Sequence, residues 1–315
     1  VSTFIFVTIL GQFVCSPLLA IEKNESTNHS ITDTTLVSYG SDTLANMMHF
    51  WGKLYSKRYP SVELELHSEG SSTASKALIN QTSSLGPMSR LMSTSELTAF
   101  KNKYGYYPTA IKVGMDAIAV FVNRNNPLSK ISVQQLDAVF SNYRKCGHPQ
   151  NIEYWKELGV EQSWGDRKIE LIGRNNVSGT YTFFRQKALC NGRFKSRVLN
   201  QPGSTSVVQV VSHSLYSIGF SALGYKTSGI KALSIINSEG QVIEATPDTV
   251  QNQTYPLARF LYIYINQAQD KKLADNVANF LNIALSQEGQ AIVKQDGYVA
   301  LPENTRLQEL NKLLH

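Results

Sequence analysis

Three stretches of this chain combine Gly, Ser and Thr where a strand gives way to a helix. They are Gly40-Ser41-Asp42-Thr43-Leu44, Gly70-Ser71-Ser72-Thr73, and Gly173-Arg174-Asn175-Asn176-Val177-Ser178-Gly179-Thr180. The first backbone N–H groups of a helix have no partner within it, and they carry the positive end of its dipole. Hydroxyls add further donors, and glycine lets an anion approach the backbone. Together these are the parts of an oxyanion site that needs no metal. Any one of the turns, taken alone, reads as ordinary helix capping. Three in one chain point to a shared anion site, because one carries an arginine able to grip an oxyanion through two parallel hydrogen bonds. Other devices fit less well: the third turn lacks the lysine of a nucleotide P-loop, no G-x-G-x-x-G follows a strand, and neither G-x-S-x-G nor H-E-x-x-H occurs. No catalytic residue is assigned. The 6 His and 3 Cys show no metal-ligand spacing, so neither a metal nor another cofactor is expected.

The elements that must hold these turns show in the periodicity. Leu36-Val37 reads as a short strand, and Leu44, Met47, Met48, Trp51, Leu54 and Tyr55 follow helical spacing up to Pro60. Val62, Leu64 and Leu66 alternate as a strand, followed by a helix over 72–80. Residues 117–122 form a buried strand and 133–140 a helix. Strand 169–172 leads into the third turn and a helix over 181–189. A helix over 207–215, a short strand at 218–220, an alternating run over 260–265 and a helix over 271–285 complete the pattern. Alternating strands and helices predict an α/β fold with mostly parallel sheets.

At 315 residues the chain has room for about two domains. Its 42% hydrophobic and 17% charged content excludes a disordered or fibrous chain. Lys+Arg 30 against Asp+Glu 24 gives +6, which favours an anionic partner. No basic run interleaved with aromatics suggests nucleic acid. Residues 1–20 carry no charge and include the apolar run Phe4 to Leu10. They read as a secretory signal cleaved after about Ala20, with a polar leader over 21–34. Gly11, Gln12 and Pro17 argue against a membrane anchor there. Lipid attachment at Cys15 is a minor alternative, because Val14 is bulky for such a site. With Cys15 removed, Cys146 and Cys190 remain, and an export compartment permits them to pair. A bridge would close a loop of roughly 45 residues, worth about 4 kcal/mol; two unrelated thiols are the alternative. N-x-[ST] sequons at Asn24, Asn28, Asn80, Asn176 and Asn252 read as chance matches, since a glycan on Asn176 would block the anion site.

With these motifs in this order, the chain resembles the periplasmic phosphate-binding proteins that serve ABC uptake transporters. The resemblance runs from about Leu36 to the closing Gly297-Tyr298-Val299-Ala300-Leu301-Pro302. Arg174 followed by Ser178-Gly179-Thr180 looks like the family's R-x-x-x-S-G-T phosphate loop. The turns at Gly40 and Gly70 are similar to the first and second contacting turns, and Gly86-Pro87-Met88-Ser89-Arg90 falls where the family has a fourth. The resemblance implies a type II periplasmic-binding-protein fold, with lobe I over 35–116 and 258–315 and lobe II over 117–257. It implies inorganic phosphate in the cleft, with Arg174 as charged anchor and Ser178, Gly179 and Thr180 as donors at a helix start. Ser41, Thr43, Leu44, Ser71 and Ser89 would form the opposing wall. A monomer in the periplasm, a membrane permease as partner and no reaction also follow from it.

Two positions depart from the family pattern. Well-known members end the fourth loop in Asp, which accepts the phosphate's proton, where this chain has Ser89. A second Asp, which pairs with the loop arginine, corresponds to Asn176. A hydroxyl rotates to donate or accept, so strict rejection of sulfate is not implied here. Asp42 is either a replacement acceptor or the cap of a helix beginning at Thr43. The alternatives to a transport receptor are a secreted phosphatase using the same cradle and a surface or matrix adhesin on this fold.

Overall fold

The computed structural model describes Val1, residues 35–268 and residues 271–313. The expected signal and leader, with Cys15, lie outside the described residues. Strand β1 (Thr35–Tyr39) runs parallel to β2 (Glu63–His67), with Leu36 opposite Leu64 and Tyr39 opposite His67. Between them, a single 3-10 turn (Asp42–Leu44) leads into α1 (Ala45–Arg58), which buries Met47, Met48, Trp51 and Tyr55 on one face as their spacing requires. The helix ends at Tyr59, because the residue before a proline is pushed out of the helical region. Helix α2 (Ser71–Asn80), strand β3 (Gly86–Met88) and helix α3 (Thr94–Tyr104) follow.

Next comes β4 (Thr109–Asn123), buried along most of its length. Further along lie β5 (Lys130–Ser132), α4 (Val133–Phe140), β6 (Glu170–Arg174), α5 (Gly179–Ala188), β7 (Leu199–Gln201), α6 (Ser204–His213) and β8 (Ser217–Ala222). The short strands β9 (Ile230–Ala232), β10 (Ser234–Ile236) and β11 (Val242–Ile243) precede α7 (Pro247–Gln251) and β12 (Ala258–Ile265). Helices α8 (Asp275–Leu285), α9 (Gln287–Gln295) and α10 (Glu303–Asn311) close the chain.

The two lobes of this α/β fold share β4. Its first part pairs antiparallel with β12, from Thr109 opposite Ile265 to Ala117 opposite Ala258. From Ile118 to Val122 it pairs with β8, and its last residues, Phe121 to Asn123, also pair antiparallel with β9. Beyond β8 lie β6 and β7, while β3 flanks β12. The sheets are therefore mixed, where the alternation of elements suggested mostly parallel ones. Parallel pairs occur at β1–β2, β5–β10, β6–β7 and β6–β8; a strand that crosses and another that returns beside it must run antiparallel, as β4 and β12 do.

Helix starts also differ from the periodicity. Helix α5 begins at Gly179 and α6 at Ser204, because first turns are polar and carry no apolar period. The helix expected from Lys271 begins at Asp275, and Leu273 packs into the core from non-helical chain. Cys146 and Cys190 form a disulfide with Cα atoms 5.5 Å apart, tying the loop after α4 to the end of α5. No helix among the described residues is long and apolar enough to cross a membrane.

Candidate functional site

One wall of the site is built from three turns whose hydroxyls meet. The chain after β1 is laid against β3, with the Ser41 N–H donating to the Pro87 carbonyl at 2.8 Å. Ser41 Oγ accepts the Thr43 N–H at 3.3 Å, which makes Ser41 the cap of the 3-10 turn. Its hydroxyl donates to Ser89 Oγ at 3.0 Å. The Leu44 N–H goes to the Ser41 carbonyl at 3.1 Å, so the turn itself uses that donor. After β2 the chain reverses at Gly70, whose φ of 121° disfavours any side chain, and α2 starts at Ser71. Ser71 Oγ lies 3.3 Å from Ser89 Oγ and accepts the Ser89 N–H at 3.1 Å.

The facing wall is the start of α5. Ser178 caps it, with Oγ accepting the Thr180 N–H at 3.1 Å and the Tyr181 N–H at 3.4 Å. Thr180 Oγ1 lies 3.1 Å from Thr43 Oγ1. The walls touch at Gly179, where a Cβ would fall well inside contact distance of the Ser71 and Ser89 hydroxyl oxygens. Ser41, Thr43, Ser71, Ser89, Ser178 and Thr180 are each no more than 1% exposed.

Arg174, the last residue of β6, is fully buried. Its Nη1 donates to Ser204 Oγ at 2.8 Å, and its Nη2 to Asp42 Oδ1 at 2.5 Å and to the Pro202 carbonyl at 3.1 Å. The other Asp42 oxygen accepts the Ser204 N–H and hydroxyl, each at 3.0 Å. Arg174 Nε is buried with no acceptor among the described residues. Asp42 is thus the carboxylate partner of Arg174, reached from the opposite wall, and not a helix cap. Asn176, where the family pattern has that partner, is exposed.

A second buried ion pair lies beside the cluster. Arg259 donates to Asp116 Oδ2 through Nε at 2.9 Å and Nη2 at 2.6 Å. Nη1 reaches the Ser89 carbonyl at 2.8 Å, and Nη2 reaches Thr180 Oγ1 at 3.0 Å. Burial holds the Asp116 carboxyl above its ordinary value, with the Arg259 guanidinium offsetting only part of the rise. Two phenols support the first turn: Tyr225 donates to the Asp42 carbonyl at 2.9 Å and Tyr298 to the Thr43 carbonyl at 2.6 Å. Burial raises both phenols, so both remain donors.

Ser204, Asp116, Arg259, Tyr225 and Tyr298 were not anticipated. Ser204 had a signal: Gly203-Ser204-Thr205 is a fourth strand-to-helix turn of the same composition. For Asp116 and Arg259 the only sign is a charge inside each of two apolar runs, Val113 to Ile118 and Leu257 to Leu261. Among the described residues no three His, Cys, Asp or Glu gather as a metal would need. What the site offers is hydroxyl, N–H and guanidinium donors in a buried space, which is the chemistry of oxyanion recognition.

The comparisons with known proteins agree with that chemistry. The model of the PBP superfamily domain matches residues 25–288. Phosphate-binding protein PstS of Pseudomonas aeruginosa is 47% identical over 279 residues, covering 88% of this chain and 86% of that protein. Phosphate-binding protein PstS of Staphylococcus epidermidis is 27% identical over 280 residues, covering 87% and 81%. Among solved structures, an ABC-type phosphate transport receptor from Vibrio cholerae has the same fold, with a TM-score of 0.67 at 20% identity over 85% of this chain and 100% of that one. With a family model spanning most of its length and a relative of nearly half-identical sequence, the chain belongs to the PBP superfamily, alongside proteins named phosphate-binding protein PstS.

Proposed function

We propose that this chain binds inorganic phosphate between its two lobes and delivers it to the membrane permease of an ABC phosphate importer. The observation that carries the reading is the convergence of the Ser41, Thr43, Ser71, Ser89 and Thr180 hydroxyls beside a buried arginine whose Nε has no acceptor. A phosphate taken out of water must recover its hydration in fixed hydrogen bonds, or the transfer is prohibitive. Hydroxyls held close together by caps and turns supply those bonds by turning from one another to the anion. In this reading Arg174 supplies the charge, and Ser178, Gly179 and Thr180 the helix-start donors. Ser41, Thr43, Leu44, Ser71 and Ser89 form the facing wall. The name of the Pseudomonas aeruginosa relative supports phosphate as the ligand.

The proposed lobes are 35–116 with 258–315, and 117–257, which places the division where β4 exchanges β12 for β8. The protein acts in the periplasm as an exported monomer, and its lobes close on the ligand. No reaction is proposed. Isothermal titration calorimetry tests the reading: Arg174→Ala, shown to be folded by its thermal melt, loses measurable phosphate binding. Wild-type affinity in that variant overturns the assignment.

A further inference from the structure

We propose that the cross-strand pair Asp116–Arg259 is a positioning device for the anion site: Arg259 makes the Thr180 hydroxyl an obligate donor and ties the Ser89 loop to the crossing strands. This rests on the phosphate-binding reading above.

Asp116 on β4 and Arg259 on β12 are directly opposed in the strand register, next to the point where β4 exchanges partners. Their side chains are 0% and 2% exposed. A buried pair of this kind gives a fold little stability compared with apolar residues of similar volume, since both ions lose their hydration. The arginine's other contacts show what it does instead. With Asp116 taking Nε and one bond from Nη2, the remaining hydrogen bonds run to one residue of each wall: the Ser89 carbonyl and Thr180 Oγ1.

A threonine hydroxyl has one proton to give and lone pairs that accept. Guanidinium cannot accept, so the Thr180 proton points away from Arg259. Thr43 Oγ1, 3.1 Å away within the hydroxyl cluster, marks the direction left to it. An oxyanion entering that cluster meets Thr180 as a donor already aimed. The bond to the Ser89 carbonyl holds the loop whose hydroxyl lies against Ser41 and Ser71. Asp116 balances the arginine, so Arg259 orients the donors without adding net charge to the site.

The experiment is phosphate calorimetry with thermal melts on the wild type, Arg259→Lys, the neutral double variant Asp116→Asn/Arg259→Gln, Thr180→Val, and the triple combination. The expected result is phosphate binding at least tenfold weaker in the neutral double variant and three- to tenfold weaker in Arg259→Lys. In the Thr180→Val background the loss from neutralising the pair shrinks below threefold. Two results overturn the inference: affinity within twofold of wild type in the neutral double variant, or a loss as large without the Thr180 hydroxyl as with it. Should the neutral variant not fold, Arg259→Lys decides, and affinity within twofold of wild type overturns the inference. A wild-type protein that gives no heat with phosphate defeats the phosphate reading itself, a result distinct from both.

Discussion

At Gly179 the two walls of the site come so close that only a missing side chain fits. A Cβ there meets the hydroxyl oxygens of Ser71 and Ser89, and those oxygens are held by bonds to one another, to Ser41 and to the Ser89 N–H. Alanine must part the walls or turn the hydroxyls, a strain of about 1–3 kcal/mol. Parting the walls relieves it without unfolding either lobe, so the cost falls on binding. Gly179→Ala is expected to weaken phosphate affinity tenfold or more in calorimetry while its melting temperature drops by only a few degrees. Unchanged affinity would show that the walls need not meet here. Gly179 was legible in the sequence, as were Ser41, Thr43, Ser71, Ser178, Thr180 and Arg174, because helix-start donors sit in short local motifs. Asp116 and Arg259 were not, because their roles arise only when strands 143 residues apart in sequence lie side by side.

Among the elements, α3 shows how a loop of the site is kept in place. Ser93 and Glu96 form a capping box at its start. Arg90 joins that box to α2, donating to Glu96 through Nη1 at 2.6 Å and Nη2 at 2.8 Å, and to Ser72 Oγ at 3.1 Å. The loop from Ser89 onward is thereby tied to the helix that carries Ser71. Burial alone would raise the Glu96 carboxyl, but bonds from Arg90, the Ser93 N–H and the Ser75 hydroxyl hold it down at about 2, against an ordinary value of 4.5. A depressed carboxylate stabilises the fold fully above its unfolded value and loses that contribution as pH falls from 4.5 towards 2. Glu96→Gln is therefore expected to cost on the order of 2 kcal/mol at pH 7. The gap between variant and wild type should narrow at pH 3, measured by chemical denaturation at both pH values. A gap of the same size at pH 3 would mean that the ion pair contributes nothing beyond packing. Helix α3 was not anticipated from the sequence, because it buries little besides Phe100 and so leaves no apolar period. Helix α6 was seen but started late, for its polar first turn hid Ser204 ahead of the valines.

For the whole molecule, the α/β class was legible because strands and helices alternate along most of the chain, and the two lobes followed from the motifs' resemblance to the phosphate-binding family. The mixed sheets were not, since strand direction is set by how β4 and β12 cross and no local pattern records it. Net charge was the least informative reading. The formal +6 suggests an electrostatic attraction for anions, yet the charges at the site cancel: Arg174 is paired with Asp42 and Arg259 with Asp116. The excess resides elsewhere on the chain, where salt screens it within about 8–10 Å at physiological ionic strength. Buried hydrogen bonds are screened far less. Phosphate affinity should accordingly change by less than about threefold between 0.05 and 0.5 M sodium chloride, because only the weak long-range attraction responds to salt. The association rate carries most of that response, so stopped-flow binding should slow with salt while the dissociation rate stays nearly constant. An affinity that falls tenfold or more over the same range would place exposed cations in the binding energy. The neutral array of hydroxyls around Arg174 would then be the lesser part of the site.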